Sequence, residues 1–287
     1  MVPNEKKKRS FLEIKAGIAP SIVILLLFVI VALFADYLAP YSPKANNLAN
    51  ALMPPFFQQG GTTEYLLGTD RLGRDILSRI LYGARVSLIV AAIGVLIAGS
   101  IGGTLGIVAG YLGGRVDTLI SRSIDVMMGF PTILLAMVLA IVLGPSLFNV
   151  AIVVVLIYWA RYARQARAET LRIREMDFVT LARTAGCSDL TIMRRHVFFN
   201  VLNSLVVLAT FNVGTVITLE ATLSFLGAGI PPPTPSWGSM CADGRGILVS
   251  AWWVSFMPGL AITLVVLSGN LFGDWLRDRL DPKLRDL

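Results

Sequence analysis

Glu220 is the only ionisable residue in the otherwise uncharged stretch Val201–Leu226. A carboxylate at the centre of such a stretch, if it crosses a bilayer, costs roughly 2.5–3.5 kcal/mol unless something compensates it. Its place toward the outer end leaves two roles open: lining a pathway, or hydrogen bonding between packed helices. The other reactive residue types are sparse. The single histidine is His196, and the two cysteines, Cys187 and Cys241, are 54 positions apart. No His-Glu-x-x-His or paired-cysteine motif occurs, so no metal site is read. No Gly-Lys dipeptide occurs either, which removes the phosphate-binding loop by which a chain of this kind would hold ATP. The chain is therefore expected to bind no cofactor of its own and to be no enzyme.

The elements around these residues are set by composition. Of 287 residues, 55% are hydrophobic and 15% charged, whereas soluble domains carry about 25% charge. Six apolar stretches are long enough to cross a hydrocarbon core as helices: Ile18–Leu38, Ser87–Tyr111, Val126–Leu143, Leu147–Tyr162, Val201–Leu226 and Trp253–Trp275. They are apolar all round, which argues against the alternating pattern of a membrane barrel. The expected fold class is an all-α integral membrane protein with six transmembrane helices.

The net charge of +7 is explained by where the basic residues fall. With the N-terminus inside, 19 of the 25 Lys and Arg lie in the segments 1–17, 112–125, 161–200 and 276–287. Five of the remaining six lie in the single long loop 39–86, which the positive-inside rule binds least. This predicts N-in, C-in topology in the cell (inner) membrane, with the lipid bilayer rather than nucleic acid as the partner of the charge. Cys187 and Cys241 then fall on opposite faces and cannot pair. The organisation expected is a cytoplasmic basic tail over 1–17, a first anchor helix over 18–38 and an external loop over 39–86. A core of five further helices over 87–275 comes next, with an inner loop at 163–200 and an outer loop at 227–251, and then a second tail over 276–287. The first apolar run is longer than a signal-peptide core and shows no clear cleavage site, so it reads as a retained anchor.

Within the first outer loop, Leu72, Ile76, Leu77, Ile80 and Leu81 recur at helical spacing, with Arg71, Arg74, Asp75 and Arg79 on the other face. A short amphipathic helix capped by Thr69 or Asp70 is expected to lie at the membrane surface, its arginines snorkelling to headgroups. It is either a plain elbow or part of a docking surface. The next span carries Gly99, Gly102, Gly103, Gly106 and Gly110, overlapping Gly-x-x-x-Gly pairs that favour close helix packing within the chain. Pro131 is expected to bend the third span. Pro231, Pro232, Pro233 and Pro235 exclude a helix and favour an extended segment ending at Trp237, either a lid or a stiff connector.

The inner loop is too long to be a mere connection. Its helical composition runs on from the fourth span until Gly186, after which Ser188 or Asp189 can cap a second short helix through Met193. Leu181, Ala182 and Ala185 offer an apolar surface before the glycine, and Leu190, Ile192 and Met193 another after it, ringed by Arg183, Arg194 and Arg195. The loop is either a solvated basic segment near anionic lipid or a docking element.

The stretch TLARTAGCSDLTIMRRHVFFN resembles the signature loop of ATP-binding-cassette (ABC) importer permeases, with Ala182 and Gly186 on its second alanine and its glycine. Thr180 and Leu181 stand where that signature has Glu and its first Ala, His196 where it has Ile, and Phe198 and Phe199 where it has Leu and Pro. The blocks LLGTDRLGRDILSRILYGARVSL, DFVTLARTAG, EATLSFLGAGIPPPTPSWGSM and GDWLRDRLDPKL, spread over nearly the whole chain, look like the second, C-type permease subunit of dipeptide, oligopeptide and nickel importers. The resemblance implies a type I ABC importer permease fold and a homologous second permease subunit forming a heterodimer. It also implies two ABC ATPase subunits that hold ATP and Mg, and an extracytoplasmic substrate-binding protein. It makes Leu181, Ala182, Arg183, Ala185, Gly186, Leu190 and Met193 the ATPase-coupling loop. The rival class is an ion-gradient-driven secondary transporter, which should show midplane ionisable residues in repeated halves; the chain offers Glu220 and no clear repeat.

Overall fold

The computed structural model describes the backbone of residues 4–280, and side chains from residue 19 onward. The side chains of the expected tail 1–17, and residues 281–287 of the expected tail 276–287, lie outside the described residues. All regular elements among the described residues are helical. They are α1 (Asn4–Leu33), α2 (Ala35–Leu38), α3 (Ile76–Leu112), α4 (Gly114–Gly129), α5 (Thr132–Leu143), α6 (Leu147–Ile173), α7 (Asp177–Thr184), α8 (Asp189–Ile192), α9 (Phe198–Phe225), α10 (Trp237–Gly244) and α11 (Trp253–Leu280).

Four continuous helical runs are long and apolar enough to cross a membrane: α3, α6, residues 189–225, and α11. The α4–α5 pair, bent by 93°, makes a fifth if it counts as one span. The bend falls at Phe130 and Pro131, where proline removes a backbone donor and holds its predecessor out of helical conformation. The apolar described part of α1, Ala19–Leu33, is shorter. Leu33, Leu96, Ile141 and Val142 point outward, the pattern of a bundle whose solvent is hydrocarbon.

The centre of the bundle is α3 against α6, the most extensive helix pair in the chain. Its glycines make this approach possible. A Cβ at Gly102 would collide with the carbonyl of Trp159, and one at Gly106 with that of Ala163. At Gly110 it would stand 2.8 Å from Thr170 Cβ. Gly103 turns instead toward α9, where Leu205 Cδ1 lies 2.9 Å from the Cβ position, and Gly99 abuts the Tyr162 ring at 3.5 Å. The overlapping glycine pairs thus serve two neighbours, because residues 102 and 103 are about 100° apart around one helix.

Two expectations about the first outer loop are corrected. No separate helix lies before the second span: α3 begins at Ile76 and runs unbroken to Leu112, and its cap is Asp75, not Thr69 or Asp70. The Asp75 carboxylate accepts from Ser78 N (2.8 Å) and Ser78 Oγ (2.6 Å). Nor do all the arginines snorkel outward, since Arg74 and Arg79 are 8% and 3% exposed. Their charge is matched internally. Arg74 Nε donates to Asp70 Oδ2 at 2.7 Å, Arg79 donates to the same oxygen, and both reach Asp243 on α10. Asp70 itself is turned toward them by accepting the backbone N–H groups of Leu72 and Arg74.

The last outer loop also differs from expectation. Proline does keep 231–235 out of a helix, but Trp237 begins α10 rather than ending an extended segment. Ser236 caps it in a reciprocal pair with Ser239. Trp237 is fully buried, its Nε1 donating to Ile80 O at 3.0 Å, and Trp253 Nε1 donates to Thr69 O at 3.1 Å. These bonds fasten α10 and the start of α11 onto the 69–80 segment.

Candidate functional site

At the end opposite these outer-loop contacts, α6 stops at Ile173 and the chain turns through 174–176 into α7. The helix therefore does not run unbroken from α6 to Gly186, as its composition suggested. Val179, fully buried, pins α7 to the bundle, and Ile192 and Val197, also fully buried, pin the helical run that begins at Asp189. Between these anchors the whole run 183–190 is exposed.

Gly186 ends α7. It adopts φ +82°, with Gly186 N donating to Arg183 O and Cys187 N to Ala182 O, both at 3.1 Å. This is the paired bonding of a Schellman termination, which needs a left-handed residue and so favours glycine. Ser188 then caps α8, accepting from Thr191 N. The second helix is not a short separate one. It passes through a π-helical turn at Met193–Val197 directly into α9, so the exposed turn leads straight into one continuous helical run of residues 189–225.

Of the expected coupling residues, the structure leaves Leu181 (67% exposed), Leu190 (61%), Arg183, Ala185 and Gly186 on the surface. Ala182 and Met193 are half-buried and pack inward, and Ile192 is part of the core rather than of the apolar surface. The loop is tied to α3 by a contact that sequence did not reveal. Tyr111 Oη donates to Asp189 Oδ1 at 2.8 Å, and the Arg183 guanidinium lies over the Tyr111 ring, 5.9 Å from its centre. The Tyr111 contact holds Arg183 in its charged form, raising its pKa. Nearby, Arg174 Nη1 donates to Gly110 O at 2.9 Å, and Ser204 Oγ to Glu169 Oε1 at 3.2 Å, joining α6 to α3 and to α9.

Glu220 sits near the other end of α9 and is fully buried inside the subunit. Ser87 Oγ donates to Oε2 at 3.0 Å and Ser224 Oγ to Oε1 at 2.8 Å, while Ser224 Oγ in turn accepts from Ile230 N. Of its two open roles, this geometry supports the hydrogen bond between packed helices, joining α3, α9 and the 226–230 turn. Glu220→Ala should cost about 2–4 kcal/mol, through a cavity and two unpartnered hydroxyls. Glu220→Gln, which keeps the volume and part of the bonding, should cost about 1 kcal/mol. Thermal unfolding in detergent checks the order; loss of transport at unchanged stability in the Gln variant would favour a pathway role instead.

A bundle of apolar helices, several long enough to cross a membrane and one continuous with an exposed turn, defines an integral membrane component. Comparison with known proteins identifies its family. Residues 102–286 match the family model described as binding-protein-dependent transport system inner membrane component, and residues 19–55 match the N-terminal TM domain of oligopeptide transport permease C. The chain belongs to this family of inner membrane transport components, which do not themselves hydrolyse ATP. It is 42% identical over 270 residues to the di/tripeptide transport system permease protein DppC of Pseudomonas aeruginosa, covering 94% of this chain and 89% of that one. It is 44% identical to the dipeptide transport system permease protein DppC of Escherichia coli, covering 94% and 90%. In fold it is similar to a chain of the MetNI methionine ABC transporter in an inward-facing conformation. The TM-score is 0.61 at 16% identity, over 72% of this chain and 98% of that one.

Proposed function

We propose that this chain is one half of a two-permease pathway that imports short peptides, with six spans and both termini on the ATPase side. Of two ATPase subunits, which hold the ATP and Mg, one binds the Leu181–Leu190 turn, and an external binding protein delivers the cargo. The observation that carries the coupling role is the exposed turn between buried anchors Val179 and Ile192, continuous through α8 with the spanning helix α9. ATP-driven closure of the partners would pull on this turn and rotate α9 against the α3–α6 pair. The orientation is supported by the concentration of Lys and Arg in the segments flanking the turn. The sixth span would be α1, and the relatives' names, dipeptide and di/tripeptide permeases, support the cargo.

Co-expressed with its partners, the chain should co-purify in mild detergent with a second permease and two ATPase subunits. In proteoliposomes the assembly should accumulate dipeptide only with both ATP and the binding protein present. Uptake by the chain alone, driven by an ion gradient and indifferent to ATP, would refute this reading.

A further inference from the structure

A cavity of about 630 Å³ opens between residues 70–74 and the 225–246 segment, at the end of the bundle away from the coupling turn. Small-molecule sites typically span roughly 300–1,000 Å³. Asp70, Arg74 and Asp243 line it, and Arg79, which does not, pairs with both carboxylates. Asp70 is saturated by donors, whereas Asp243, its side chain 42% exposed, accepts only long bonds of 3.3 and 3.4 Å. Arg79 Nε, deeply buried, has no partner. Around the mouth stand Arg71 and Arg245, both exposed and in no ion pair among the described residues; the Arg245 guanidinium lies 5.7 Å from the centre of the Phe225 ring. Four guanidinium groups thus face two carboxylates. Two of the four are unneutralised and converge on one concavity, an arrangement that attracts and orients an anion.

Phe225 also lines a second, open groove of about 260 Å³, with Ala221, Cys241, Ile262, Thr218 and Thr222. Thr218, itself exposed, lies seven residues before Phe225 on α9, about 10 Å along the helix at 1.5 Å per residue. A cationic site beside a mainly apolar groove matches a small solute that carries a carboxylate next to an apolar group.

We infer that the outer cavity receives the terminal carboxylate of a short peptide through Arg71 and Arg245, and that the adjoining groove accepts an apolar side chain next to it. This rests on the peptide-import reading for the identity of the cargo, though not for the recognition of a carboxylate.

The test uses the assembled transporter in nanodiscs without its binding protein, titrated with alanyl-phenylalanine and with its C-terminal amide by saturation-transfer NMR. The free acid should bind at least about tenfold more tightly than the amide, the equivalent of one charge-assisted hydrogen bond. Arg71→Gln with Arg245→Gln should bring the acid down to the level of the amide, and the paired Lys variant should restore part of the difference. Both arginines are exposed and outside any ion pair among the described residues, so folding should be unaffected. Equal binding of acid and amide, or an unchanged double variant, would overturn the proposal. So would a double variant that binds the acid normally but no longer engages the binding protein. N-acetylalanine separates the two readings: arginine-dependent binding of it, with no peptide uptake by the assembled transporter, keeps the carboxylate site and rejects peptide as cargo.

Discussion

Gly106→Leu is expected to prevent the bundle from folding, and Gly102→Leu to do nearly the same. Both glycines sit where α3 meets α6 backbone to backbone, and even a Cβ would collide with a carbonyl of the facing helix. Ordinary overpacking costs about 1–3 kcal/mol because side chains can yield. Here the obstacle is helix backbone, so the two helices must separate and lose their contact along the whole pair. The double variant should lose about 5 kcal/mol or more, comparable to the entire net stability of many proteins. Gly129→Leu is the control, since nothing lies within 4 Å of its Cβ position. Membrane insertion, monodispersity in detergent and thermal unfolding should be normal for the control and collapse for the pair.

The second large effect is expected at Gly186, and it is of a different kind. A Cβ there meets nothing within 4 Å, so sterics against neighbours play no part. The obstacle is φ +82°, which costs an ordinary L residue about 1–2 kcal/mol and a β-branched one more. Gly186→Val should therefore redirect the chain after Thr184, shifting Leu190 relative to Leu181, while Val179 and Ile192 keep the bundle intact. Uptake should fall to background with insertion and unfolding temperature nearly unchanged. Gly186→Asn, which tolerates the left-handed region better, should retain much of the uptake. This separation of transport from stability is what distinguishes a moving contact from a packing position such as Gly106.

Much of this was legible because lipid imposes a simple code: long apolar runs separated by charge. The runs located α3, α6, α9 and α11, and Pro131 located the 93° bend. What failed was non-local. Arg74 and Arg79 read as solvent-facing because the carboxylate that helps neutralise them, Asp243, lies more than 160 residues away. Tyr111 gave no hint of its bond to Asp189, 78 residues on. The helix α10 was hidden by the prolines before it, although Ser236 and Ser239, spaced as a helix cap and its third residue, carried the signal. In the coupling loop, sequence identified the apolar residues but not which of them face outward. Val179, Leu181, Leu190 and Ile192 are chemically alike, and only the fold turns two in and two out.

The exposed turn at 183–190 also contains its own reporter. Cys187 is exposed beside Gly186, whereas burial pushes the Cys241 thiol up to about 11, leaving it almost wholly protonated and slow to alkylate near neutral pH. A benzophenone maleimide should therefore label Cys187 selectively in this chain when applied before the ATPase subunits are added, and the labelled chain is then assembled into the transporting complex. On irradiation, the label is expected to join this chain to an ATPase subunit, in a yield that changes between the ATP-bound and nucleotide-free states. A complex that imports cargo with ATP, carries the label at Cys187 and gives no such adduct in either state would contradict the assignment of this turn as the point where the ATPase takes hold.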